Sequence, residues 1–250
     1  LTRMFPIRDH NPSQRTAYIT YFLMAANILV FLSYAMAFDD QNRLGQIYYD
    51  WGMTPSAISD GSHYYTLFTH MFMHGGFMHL AGNMLFLWIF GDNMEDEMGH
   101  FGFLLFYIMA GLAAGLAQYY TEPYSNVPLV GASGAIAGVM GGYLLLFPRA
   151  KVDILFIFII FFKIWPIPAW VMLGLWFGLQ LLNGVAVSGS AGGVAYWAHA
   201  GGFIIGLLFA LPLWFRLGGK DFWRVNHGAP PHPEAEYKLV RTSIPRVSRK

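Results

Sequence analysis

No cysteine occurs in the 250 residues, which excludes disulfides, a cysteine nucleophile and thiolate metal centres. Charge is scarce too. Only 12% of residues are Asp, Glu, Lys or Arg, about half the ~25% of a soluble domain. Hydrophobic residues make up 56%. A disordered chain is excluded, and an ordinary soluble enzyme is a poor fit. Acids vanish over long stretches: Glu122 is alone between Phe101 and Asp153, and none lies between Ile154 and Lys220. A proton-driven pump or an aspartyl protease working inside a bilayer would need embedded carboxylates. No His-Glu pair occurs either, so the H-E-x-x-H helix of a zinc protease is missing.

What is present is long apolar runs, several near the ~20 residues that cross a bilayer. Six spans are expected, over 17–37, 77–94, 101–120, 131–147, 167–185 and 197–215, the fifth ending near the turn signal Asn183-Gly184. The expected fold is an all-α membrane protein: a six-transmembrane-helix bundle over 17–217, a cytoplasmic segment over 1–16 and a flexible, basic, Pro-rich tail over 218–250. The opening residues are too polar and Pro-broken for a signal peptide. Ile154–Phe162 is apolar but short; an interfacial piece, a strand-like loop and an extension of span five are open to it, and it is read as interfacial.

Placing both termini in the cytoplasm puts fourteen of the fifteen Lys and Arg residues inside, with Arg43 outside. Acidic residues over 91–100 then form an inner loop. The outer loop, 38–76, carries Trp51, Tyr64, Tyr65, Phe68 and Phe72, which suit an aromatic belt in the headgroup layer. There is no internal repeat and no nucleic-acid motif. The basic tail suits attraction to anionic lipid.

Polar residues inside such spans are few. Spans two, four and six all run from outside to inside. His79 and Asn83 open span two, Ser133 opens span four and His199 opens span six. Topology alone places the four at one depth, in the outer half of the bilayer. Glycines at four-residue steps (Gly134, Gly138 and Gly142; Gly202 and Gly206) give spans four and six faces able to pack closely. Ser133 would thereby approach His199. A serine hydroxyl becomes a nucleophile when a neutral imidazole takes its proton. His79 and Asn83, one helical turn apart, share a face and offer N–H donors to a developing oxyanion. No acid is at hand to orient His199, so a Ser–His dyad is expected rather than a triad.

Three other readings stand beside acyl transfer. A membrane cytochrome could ligate haem through His79 and His199. A zinc site could form from His70, His74 and His79, given i, i+4 spacing. A non-catalytic chaperone of membrane helices could use the same glycine-lined core.

The strings GASG (131–134), AHAGG (198–202) and HMFMHGGFMHLAGN (70–83) resemble the rhomboid family of intramembrane serine proteases. The likeness runs over about 15–217. It implies Ser133 as nucleophile, His199 as general base and oxyanion roles for His79 and Asn83, with no cofactor or metal. His70, His74, Gly131, Gly134 and Gly202 fall on supporting positions, the two histidines as structural groups bonding the outer loop. Glu95 and Gly99 match the family's E-x-x-x-G, with the acid holding a loop. Phe90-Gly91 and Gly111 fall on packing positions. Two departures stand out: Tyr65-Thr66 replaces a Trp-Arg pair, and Ala137 replaces an aromatic that packs on the catalytic imidazole in some members. The partners implied are membrane proteins with transmembrane segments and the bilayer itself. The compact core suits a prokaryotic plasma membrane.

Overall fold

The computed structural model describes residues 2–158, 161–186, 194–226 and 228. Strand β1 (Thr2–Asp9) precedes α1 (Tyr18–Tyr34), which continues as a 3₁₀ turn to Asp39. Short helices α2 (Gln41–Trp51), α3 (Pro55–Ser59) and α4 (Thr66–Thr69) make up the loop to α5 (Phe77–Met98). Then come α6 (His100–Thr121), α7 (Ser133–Leu146), the hairpin β2 (Lys151–Phe158) and β3 (Phe161–Pro168), α8 (Ala169–Ala186), α9 (Tyr196–Arg216) and α10 (Lys220–Asn226).

Four helices, at Tyr18–Asp39, His100–Thr121, Ala169–Ala186 and Tyr196–Arg216, are long and apolar enough to cross a membrane. Helices also fill the other two apolar stretches, as α5 and α7. α7 is the axis of the bundle, and Ser133 and Leu144 are its only residues not buried. Fourteen residues at 1.5 Å each make it about 21 Å long, well short of a ~30 Å hydrocarbon layer.

Glycine sets how closely α7 meets α9. A Cβ on Gly202 would overlap the carbonyl of Gly134, one on Gly206 the backbone of Gly138, and one on Gly141 the carbonyl of Phe203. Main chain therefore touches main chain along three turns.

At the far end of α5, Glu95 is buried yet fully used. Its carboxylate accepts from the Ile19 and Thr20 amides at 2.9 and 2.8 Å, from the Thr20 hydroxyl, and from His100 Nδ1–H. It caps the first turn of α1 from another helix, where the helix dipole favours an anion. Gly99, at φ +72° and ψ 162°, turns the chain from α5 into α6, a conformation essentially reserved for glycine.

Four expectations need correction. The protein is not all-α: β1, β2 and β3 form an antiparallel sheet in that order. Of the apolar stretch 154–162, residues 154–158 belong to β2 and residues 161 and 162 to β3. As a helix its nine residues would reach only ~14 Å, and its Ile and Phe content favours a strand. Acidic residues 92–97 are not a loop, because α5 continues through them to Met98. The Asn183-Gly184 turn signal lies within α8, which runs to Ala186. The tail over 218–250 starts with helix α10, and its residues 229–250 lie outside the described residues.

Polar contacts join the strands to one another and tie the sheet to the helices. Asp153 accepts from Arg8 Nε at 2.7 Å and pairs with His10 Nε2 at 2.8 Å. Asp9 accepts from the Tyr143 hydroxyl at 2.7 Å and from Asn93 Nδ2 at 3.1 Å. Burial, reinforced by the Asp92 charge, outweighs the Tyr143 hydrogen bond and pushes Asp9 up to about 7.

Gly206→Ala is expected to destabilise the fold by about 1–3 kcal/mol through overpacking. Gly178→Ala, where a Cβ meets nothing within 4 Å, should not; thermal unfolding in detergent distinguishes the two. For Asp9, a folded pKa above the unfolded one means that the native state holds the extra proton. Stability should therefore fall as pH rises from about 4 to about 7. Asp9→Asn should flatten that slope in unfolding curves taken across the range.

Candidate active site

Three helices begin at the end of the bundle opposite the sheet, and each brings a polar residue. Ser133 is the first residue of α7, His79 lies in the first turn of α5, and His199 lies in the first turn of α9. The Ser133 hydroxyl and His199 Nε2 are 2.8 Å apart. This contact follows from the glycine seam, because Gly134 and Gly202 sit one and three residues beyond the two functional side chains. No side chain caps α7, so its first-turn amides remain available as donors.

The imidazole of His199 is held on both sides. Its Nδ1 lies 2.9 Å from Gln180 Oε1, and the Trp176 ring packs on it with centroids 5.7 Å apart and planes tilted by 33°. Both partners come from α8. Trp176 fills the role left open by Ala137, an aromatic support for the ring supplied from a different helix. Sequence reasoning missed Gln180. It is a neutral amide in an apolar helix, whereas an acid is the group expected to orient a histidine.

His79 faces the same spot. The Gly75 amide donates to His79 Nδ1 at 3.2 Å, so a neutral ring carries its proton on Nε2. A Cβ added to Gly131 would lie 2.9 Å from His79 Nε2 and 3.3 Å from the Ser133 hydroxyl. Gly131, at φ +136°, leaves that space open. Its amide donates to the His70 carbonyl at 2.9 Å, tying the loop before α7 to the outer segment. Asn83 lies one turn below His79 on α5. It is buried, and its Nδ2 has no partner among the described residues.

His70 and His74 are fully buried, and burial pushes both down to about 4, with His79 adding to the effect on His74. Their ring nitrogens find no partners among the described residues. The main chain of His74 makes the contacts instead: its amide donates to the Tyr34 hydroxyl, and its carbonyl accepts from the Tyr34 and Tyr48 hydroxyls. Gly134 and Gly202 belong to the helix seam. Among the described residues, no three His, Asp or Glu are grouped as metal ligands would be.

A cavity of about 410 Å³ opens over the serine. Gly75, His79, Gln118, Glu122, Ser133 and His199 lie on its wall; Asn83 does not. Gln118 Oε1 accepts from the Ala198 amide at 3.3 Å, linking α6 to the start of α9. An activated hydroxyl, a base and N–H donors facing an open, partly polar space can carry out acyl transfer.

A family model for the rhomboid domain matches residues 61–216, more than half of the chain. Rhomboid protein 1, mitochondrial, of Saccharomyces cerevisiae is 33% identical over 145 residues, which are 55% of this chain and 38% of that protein. Rhomboid protease GlpG of Salmonella newport is 26% identical over 200 residues, 79% of this chain and 63% of that protein. The chain thus spans less than two thirds of the length of either relative.

Gly131→Ala is expected to slow the labelling of Ser133 by a serine-directed phosphonate by about 100-fold, the scale of a ~1 Å misplacement. Strain at positive φ should also cost about 1–3 kcal/mol of stability. Mass spectrometry of the labelled protein and thermal unfolding measure the two effects; undiminished labelling would mean that the open space at Gly131 is not needed.

Proposed function

The chain belongs to the rhomboid family, and from that premise we propose that it is an intramembrane serine endopeptidase acting on transmembrane segments of other membrane proteins. One observation carries this reading: the 2.8 Å contact between Ser133 and His199 at the floor of an open cavity.

Six membrane crossings with both termini cytoplasmic make the cavity open on the outer side. They also leave fourteen of fifteen basic residues within. The short α7 then accounts for a serine lying below the surface, within reach of water from above. The six-helix domain is 17–217, with 1–16 and the tail on the inner side. Membership of the family and the apolar helices make the chain an integral membrane protein, and its relatives include bacterial and mitochondrial proteins. We propose a prokaryotic plasma membrane as its location.

A substrate helix would approach beside α8, whose only buried residues are Ala169, Leu173 and Gln180. Local unwinding would expose a carbonyl, which small or helix-breaking residues ease. Ser133 Oγ attacks the scissile carbonyl carbon while His199 Nε2 takes the hydroxyl proton. The oxyanion receives N–H donors from His79 Nε2, the Ser133 amide and Asn83, whose unspent Nδ2 supports that role. His199 then returns the proton to the leaving amine as the C–N bond breaks. Water, deprotonated by His199, attacks the ester, and Ser133 leaves with the proton.

Ser133→Ala, with the fold retained, should abolish cleavage of a reporter transmembrane segment in proteoliposomes; undiminished cleavage would sink the reading. Loss of one oxyanion donor is worth about 10²–10³ in kcat. His79→Ala and Asn83→Ala should each lower turnover on that scale, as read from initial rates of reporter cleavage.

A further inference from the structure

We propose that Gln180 is a positioning residue: it holds the His199 imidazole in the tautomer that keeps its proton on Nδ1, leaving Nε2 free to receive the Ser133 proton. This rests on the Ser133–His199 reading above and adds a third member to it.

The amide has one orientation available. Gln180 Nε2 donates to the carbonyl of Trp176, one turn back on α8, at 3.3 Å. Its oxygen, the acceptor, therefore points at His199 Nδ1, 2.9 Å away. An acceptor there calls for Nδ1–H, and a neutral ring with Nδ1–H has a bare Nε2. Reversing the amide would set two carbonyl oxygens against each other at Trp176 and offer a donor to Nδ1, stabilising the other tautomer. That tautomer presents N–H to the serine and cannot take its proton.

An amide also suits the surroundings. Gln180 is buried at 8% exposure, in a stretch of chain that holds no acid from Ile154 to Lys220. A carboxylate there would have to be desolvated in an apolar setting. A neutral acceptor orients the ring without that cost, and an amide fills the orienting place in Cys-His-Asn proteases as well. Trp176, on the same face of α8, covers the ring. α8 thus supplies both the hydrogen bond and the packing that fix His199.

The test uses the full chain in nanodiscs with ¹⁵N-labelled histidine, His199 signals being assigned by their loss in His199→Asn. Wild-type protein should show a protonated Nδ1 and a bare Nε2 at His199. Gln180→Met, close in shape but without the acceptor, should shift the ring towards the Nε2–H form. It should lower kcat by about 10- to 100-fold, leaving KM within about twofold because only the base is disturbed. If Gln180→Met fails to fold, Gln180→Asn, whose amide is drawn back by one methylene, takes its place. An unchanged tautomer and kcat in the variant would overturn the proposal. The nitrogen signals need no turnover, so they judge Gln180 even if Ser133→Ala were to show that the serine is not the nucleophile.

Discussion

Contact between the main chains of α7 and α9 is the constraint on which this structure turns. Gly134, Gly138 and Gly141 on one helix, with Gly202 and Gly206 on the other, let the two axes approach until a single methyl group would collide with backbone. Lipid tails are as apolar as leucine, so burying apolar surface gives two helices little reason to associate in a bilayer. Close approach and the dispersion it gains take over that task. The seam also delivers a serine and an imidazole to hydrogen-bonding distance, since each lies in the first turn of its helix.

Buried acids and buried neutral polar groups are treated differently. Glu95 spends its oxygens on α1 and His100, and Asp153 on Arg8 and His10. Several neutral groups have no such partners among the described residues: Asn11 Nδ2 next to the sheet, and Asn83 Nδ2 and the rings of His70 and His74 near the site. A buried unsatisfied polar group costs about 1–3 kcal/mol, so those near the site lower stability where donors to a reacting carbonyl are wanted. Such costs are common at functional sites, where local rules are broken and offset elsewhere.

Much of this could be read from the chain because the codes involved are local. Apolar runs located the long helices, and glycines at four-residue steps announced the seam that brings Ser133 and His199 together. The rest depended on distant partners. β1 and β2 are joined by residues such as Arg8 and Asp153, 145 positions apart, and a short apolar run carries no mark of a strand without its neighbour in view. The acids at 92–97 resemble a loop because their partners, the first turn of α1 for Glu95 and Ser13 and Gln14 for Asp92 and Asp96, are invisible along α5 itself. Gln180 escaped notice for a related reason: an uncharged side chain in a greasy helix attracts no attention until the imidazole opposite it is seen.

The seam between α7 and α9 links robustness to reactivity. A variant that bulks up Gly202 or Gly206 would wedge the helices apart, and widening the 2.8 Å gap by one ångström already takes hydroxyl and imidazole out of bonding range. Heat tolerance and turnover therefore share one geometric coordinate in this protein. Selection for a tougher bundle has to act on the lipid-facing helices or the sheet, leaving this glycine track alone.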